Sequence, residues 1–185
     1  MPSGQTHDRI TLWTLPCLGG LTYLLTRSSE LTLIGSSAFL FSGLMFGPDL
    51  DINSRQYQRW GILRWLWFPY RSLIHHRSCL SHGFLIGTII RLLYLLIWAG
   101  LVAVIGWALA SLLAESLIPW QTIDLNQAKL WWQQYQYQAI ALFLGLELGA
   151  MSHSLSDWLV STYQSWQKKV NPKKRKPSRS TRNKR

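Results

Sequence analysis

Cysteine is nearly absent, with only Cys17 and Cys79 in 185 residues. One lies in an apolar stretch and the other among histidines, which excludes a disulfide framework. Acids are scarce too, eight against 19 Lys and Arg, but ten of those basic residues fall between Lys168 and Arg185. The rest of the chain is close to neutral. The formal charge of +11 therefore belongs to a terminal extension, and it argues against a nucleic-acid-binding face spread over a folded domain. Charge is missing altogether from Leu92 to Ala114. Within the apolar segments only Arg91 and Glu147 are ionisable, too few polar groups at depth for a transporter. No clearly basic start and no small-residue cleavage site frame the first apolar stretch. A cleaved signal peptide is therefore not expected, and that stretch is expected to stay.

What the chain does have is apolar runs long enough for a bilayer. They predict an all-α, polytopic membrane helical bundle of about four spans, near 10–26, 31–46, 84–114 and 135–151. Pro16 and Gly19-Gly20 weaken the first and predict a kink. Residues 27–30 read as the turn of a helical hairpin, and Gly35, Ser36, Ser37, Ala38, Ser42 and Gly43 let the second span approach a neighbour closely. Between the second and third spans, 47–83 mixes Arg55, Arg59, Arg64, Arg71 and Arg77 with Trp60, Trp65, Trp67, Phe68 and Tyr70, the composition of a headgroup-level segment. A polar connector is expected over 115–134 and an amphipathic stretch over 152–166. The membrane-embedded domain is thus 1–166, followed by a disordered basic tail, 167–185, with one aliphatic and no aromatic side chain.

Arginine is concentrated on the side of both termini and the 47–83 segment, against only Arg27 and Lys129 on the other. The positive-inside bias puts the termini in the cytoplasm of a plasma or inner membrane, with lipids as partners and the tail against an anionic leaflet. All five histidines, His7, His75, His76, His82 and His153, then fall at the cytoplasmic border, with Asp8, Asp49, Asp51 and Asp157. Imidazole and carboxylate are the ligands of hydrolytic metal sites. His153 and Asp157 stand four apart on one helical face. Asp49 and Asp51 follow Gly47-Pro48 at a helix end, where a turn aims one of them inward and leaves the other behind it. His7 and His82 each precede a span at the same level. Arg91 and Glu147 are expected to face the bundle interior and pair with each other.

The pieces MPSGQTHD at the start, GPDLD at Gly47–Asp51, HRSCLSHG at His76–Gly83 and HSLSDW at His153–Trp158 resemble a family of metal-binding membrane proteins. That family is similar to the LexA-regulated inner-membrane metal-dependent hydrolases and, more distantly, to zinc-dependent phospholipases C and single-strand-specific zinc nucleases. The resemblance covers residues 2 to about 160. It implies His7, Asp49, Asp51, His76, His82, His153 and Asp157 as ligands of a divalent ion, zinc first, with His75 an alternative to His76. It further implies a hydrolase, with a phosphoester or lipid headgroup as substrate. In that reading Asp49 or Asp51 is the general base. Arg77 is either a bidentate phosphate clamp or a headgroup anchor. The rival expectation is a non-catalytic metal-binding or scaffold protein at the membrane.

Overall fold

The structure, a computed structural model, describes residues 4–74, 78–113 and 124–170, which form helices and short turns only. His75, His76 and Arg77, residues 114–123 of the expected connector, and the tail from 171 onward lie outside the described residues.

Helices α1 (Gly4–Thr26) and α2 (Ser29–Leu44) form the expected hairpin. Arg27 takes the left-handed conformation that closes a helix C-terminus, with φ 52°, and its N–H donates to the Tyr23 carbonyl at 2.8 Å. Ser28 then caps α2 by accepting the Leu31 N–H. Beyond α2 the chain runs through a 3-10 turn (Pro48–Asp51), α3 (Arg55–Gln58), a second 3-10 turn (Gly61–Trp67), α4 (Phe68–Leu73) and α5 (Cys79–His82). Two long helices, α6 (Ile86–Leu113) and α7 (Leu125–Val170), follow.

Three helical segments are long and apolar enough to cross a membrane: Ser29–Asp51, Ile86–Leu113 and Leu125–Gln167. The expected first span lies in α1, which is long enough at 23 residues but is diluted by threonine, proline and glycine and does not join them. Its helix is nonetheless continuous through Pro16. The expected fourth span is the middle of one 46-residue helix. The second half of the expected connector, the apolar run and the amphipathic stretch are all parts of α7, which continues to Val170, past the expected boundary at 166.

Close contact between α2 and α7 holds the bundle together. A Cβ on Gly145 would stand 2.3 Å from the Gly35 carbonyl oxygen, and one on Gly149 2.5 Å from that of Phe39. Only glycine allows the two backbones this near. Helix α1 closes on α2 in the same way, since a Cβ on Gly43 would meet Thr11 Cγ2 at 2.5 Å.

Part of the 47–83 segment, expected at headgroup level, is packed inside the protein. Trp67 is wholly buried, Tyr70 and Phe46 nearly so, and Trp67 packs against the rings of Trp60, Tyr70 and Tyr94 at centroid separations of 5.1 to 5.4 Å. Trp60 Nε1 donates to the Met45 carbonyl at 2.8 Å and the Tyr94 hydroxyl to the Leu66 carbonyl. These rings are a small core in which Trp67 meets Trp60 and Tyr70 edge to face and stacks on Tyr94. Arg55 and Arg59 bind Asp8 at 3.0 and 2.7 Å, pinning α1 to the segment, and Arg71 lies 4.4 Å above the Tyr57 ring. Ile62, Leu63, Trp65 and Phe68 remain exposed, so the apolar outer surface is narrower than the composition implied.

Candidate metal centre

The Gly145, Gly149, His153 and Asp157 series advances by four residues, so the face of α7 that touches α2 continues into the two ligand candidates. Glycine lets α7 meet α2, and one turn later His153 reaches Asp49 in the turn that ends α2. His153 Nε2 lies 3.1 Å from Asp49 Oδ2. Helix α1, running beside both, stacks the His7 ring on that of His153 with centroids 3.9 Å apart, and His7 Nε2 stands 3.4 Å from Asp157 Oδ1. From the other flank α5 brings His82 Nε2 to 3.8 Å from Asp49 Oδ1.

Five candidates thus come together from four parts of the chain. They fall into two groups whose ligand atoms lie within 4.8 Å of one another: His7, His153 and Asp157, and Asp49, His82 and Asp157. Asp157 belongs to both. His7 and His153 are buried, 6% and 4% exposed, and His153 Nε2 and Asp157 Oδ1 have no hydrogen-bond partner among the described residues. Buried polar atoms left this way call for a partner beyond the described residues.

Two serines set the histidine tautomers. Ser156 Oγ donates its single proton to the His153 carbonyl at 2.8 Å, so at 2.7 Å from His7 Nδ1 it accepts that ring's N–H. Ser81 Oγ gives its proton to Asp51 Oδ2 at 2.5 Å and accepts from His82 Nδ1 at 2.8 Å. Each arrangement turns Nε2 toward a carboxylate, Asp157 for His7 and Asp49 for His82, the orientation in which imidazole can bind an ion. For His7, burial lowers the pKa, and His153 lowers it further against the opposing pull of Asp157, Asp49 and Asp8. The ring therefore stays neutral below its ordinary range. Gln56 Nε2 approaches His153 Nδ1 only at 3.5 Å, too long to fix that tautomer. Ser156→Ala removes the His7 anchor and is expected to weaken metal affinity 10- to 100-fold, about the cost of losing such an outer partner. Titration with a metal buffer measures it.

The model of a family described as "Uncharacterized metal-binding protein" matches residues 2–167, the greater part of the chain. The chain belongs to that family. A curated relative, an "Uncharacterized protein" from Aquifex aeolicus (strain VF5), is 38% identical over 58 residues, 31% of this chain and 40% of its own length. The chain thus spans less than half of that relative. No solved structure matches.

Among this family member's other expected site residues, Asp51 is buried behind Ser81 and lies outside both groups. It orients His82 through that hydroxyl. His75, His76 and Arg77 lie outside the described residues. Arg91 and Glu147 face the interior as expected, 1% and 4% exposed, but no ion pair joins them. Arg91 donates to the Ser81 carbonyl and to Thr88 Oγ1, each at 3.0 Å, while Glu147 Oε1 accepts the Leu85 N–H at 3.0 Å. The α6 N-terminus offered each charge a backbone or hydroxyl partner nearer than the other charge. Ser81, Ser156 and Gln56 were not singled out from sequence. For the two serines a signal existed, since each immediately precedes a candidate ligand; for Gln56 there was none.

Beside the first group lies a cavity of about 220 Å³, lined by His7, Asp8, Asp49, Arg55, His153 and Asp157 among others.

Proposed function

We infer that the chain is a membrane-embedded, metal-dependent hydrolase of phosphoester substrates. The observation that carries this reading is the cavity at the ligand residues, because a structural site is closed by its own ligands whereas a catalytic one keeps a coordination position open to substrate. Three imidazoles and two carboxylates suit zinc among common divalent ions, and the presence of Asp157 in both groups suits a two-ion site in which it would help hold either ion. When bound, such an ion supplies a hydroxide at neutral pH by lowering the pKa of its water to about 7. With one oxygen toward His82 and the other toward His153, Asp49 serves better as ligand than as base. Arg55, which lines the cavity and holds Asp8, takes the phosphate-clamp role first given to Arg77.

Membrane insertion is supported by α7 itself. Trp131, Trp132, Tyr135 and Tyr137 are exposed near one end and Trp158, Tyr163 and Trp166 near the other. At 1.5 Å per residue these belts stand about 40 Å apart, the thickness of a bilayer with its interfaces. The ligands sit at the second belt, and the basic residues beyond Val170 favour an anionic leaflet on that side by about 1 kcal/mol each.

The test is turnover of a panel of soluble and lipid phosphomonoesters and phosphodiesters by detergent-purified protein, before and after chelation and after zinc is restored. Hydrolysis is expected only in the loaded states. Stoichiometric metal without turnover of any ester would leave the non-catalytic metal-binding role instead.

A further inference from the structure

Arg91 and Glu147, the two ionisable groups within the apolar segments, take hold of one short turn from opposite ends. Between α5 and α6 the chain passes from Ser81 through His82 to Leu85. Arg91 Nη1 donates to the Ser81 carbonyl, just ahead of His82, and Nη2 to Thr88 Oγ1, each at 3.0 Å. Glu147 Oε1, from α7, accepts the Leu85 N–H on the far side of His82 at 3.0 Å. Leu85 has φ 59°, a left-handed conformation that a leucine keeps only where its surroundings impose it. Ser81 also lies against α6 at a point where only glycine fits, since a Cβ on Gly87 would stand 2.6 Å from its carbonyl oxygen.

The guanidinium is itself held in place. Its carbon lies 5.6 Å from the Phe46 ring centre, and the Tyr70 hydroxyl and the carboxylates of Asp51 and Glu147 attract it. Ser81, so anchored, is the residue whose hydroxyl donates to Asp51 Oδ2 and accepts from His82 Nδ1. A chain of bonds therefore runs from the two buried charges, through the backbone of the turn, to the ring that turns Nε2 toward Asp49. Bonds to charged partners are about twice as strong as neutral ones, which suits a turn with no regular helix of its own to stiffen it. We propose that Arg91 and Glu147 are positioning residues for the second ion, fixing the turn so that His82 joins Asp49 and Asp157. The other group, His7, His153 and Asp157, is built by α1 and α7 and does not include the turn.

This inference rests on the two-ion reading above and not on hydrolysis. Full-length protein in detergent is stripped with a chelator and titrated with zinc from a metal buffer, and its bound ions are counted by elemental analysis. Wild type is expected to hold two. Arg91→Met and Glu147→Leu each remove one grip on the turn. Each is expected to weaken one ion at least about tenfold, as losing an outer partner does, and to leave the other within about twofold of wild type. Glu147→Gln keeps an oxygen for the Leu85 N–H and is expected to hold both ions. His82→Ala is expected to lose the same ion as Arg91→Met, and the two combined to lose nothing more. If a single variant fails to fold by circular dichroism, the double variant Arg91→Met, Glu147→Leu takes its place, because it leaves neither charge buried without the other. Two ions at wild-type affinity, loss of both ions together, further loss when Arg91→Met joins His82→Ala, a Glu147→Gln variant that behaves like the leucine one, or a double variant that does not fold overturns the proposal. A wild-type protein with one ion removes the two-ion reading itself, and the proposal with it. Ions are counted without turnover, so failure of the hydrolytic reading is seen separately.

Discussion

Asp157→Ala is expected to empty the metal centre, lowering bound metal per purified chain by tenfold or more, whereas His153→Ala is expected to spare part of it. The difference follows from the geometry. Asp157 is common to both ligand groups, while His153 belongs to one. Removing the shared carboxylate leaves two imidazoles for one position and an imidazole with a carboxylate for the other, fewer than the three protein ligands of a catalytic zinc site. Elemental analysis of chelator-free protein measures the loss, and circular dichroism shows whether the helices remain. Wild-type metal content in the Asp157 variant would remove the case for a shared ligand, and with it the two-ion reading.

The second large effect is expected far from any ligand atom. Gly149→Val places a branched side chain where even a Cβ would stand 2.5 Å from the Phe39 carbonyl oxygen, 2.7 Å from Ser42 Cβ and 2.9 Å from the Gly43 nitrogen. Two of those neighbours are backbone and cannot turn aside, so the helices must separate. The 3.1 Å approach of His153 to Asp49, one turn away, is lost with them. Metal content is expected to fall about as far as in Asp157→Ala, and the thermal midpoint to fall too, which that substitution does not require. Gly149→Ala should give an intermediate result. A valine variant that binds metal normally would show that α7 reaches Asp49 by some route other than this contact.

Much of the centre was legible because it depends on periodicity. The four-residue step from His153 to Asp157, the position of Asp49 after Gly47-Pro48, and the placing of His7 and His82 before apolar runs each follow from helix geometry, and together they put the ligands at one height. What escaped was non-local. Hydropathy marks the apolar middle of α7 but not its glutamine-rich first turns or its amphipathic end, so one helix read as three pieces. Arginine and tryptophan alternating over 47–83 are equally compatible with headgroups and with each other. Only the fold shows Trp67 surrounded by aromatic rings and Arg59 closed on Asp8. The Arg91 and Glu147 pairing failed for a related reason: burial of two charges was readable, but the competing backbone partners were not.

The pairing of His7 with Asp157 joins the first described helix to the last. A ribosome that has released the α1–α2 hairpin has made His7 and Asp49 but no His153 or Asp157, so a nascent or prematurely terminated product holds too few donors to capture an ion. Both ligand groups draw on Asp157, so neither is complete until α7 has been made.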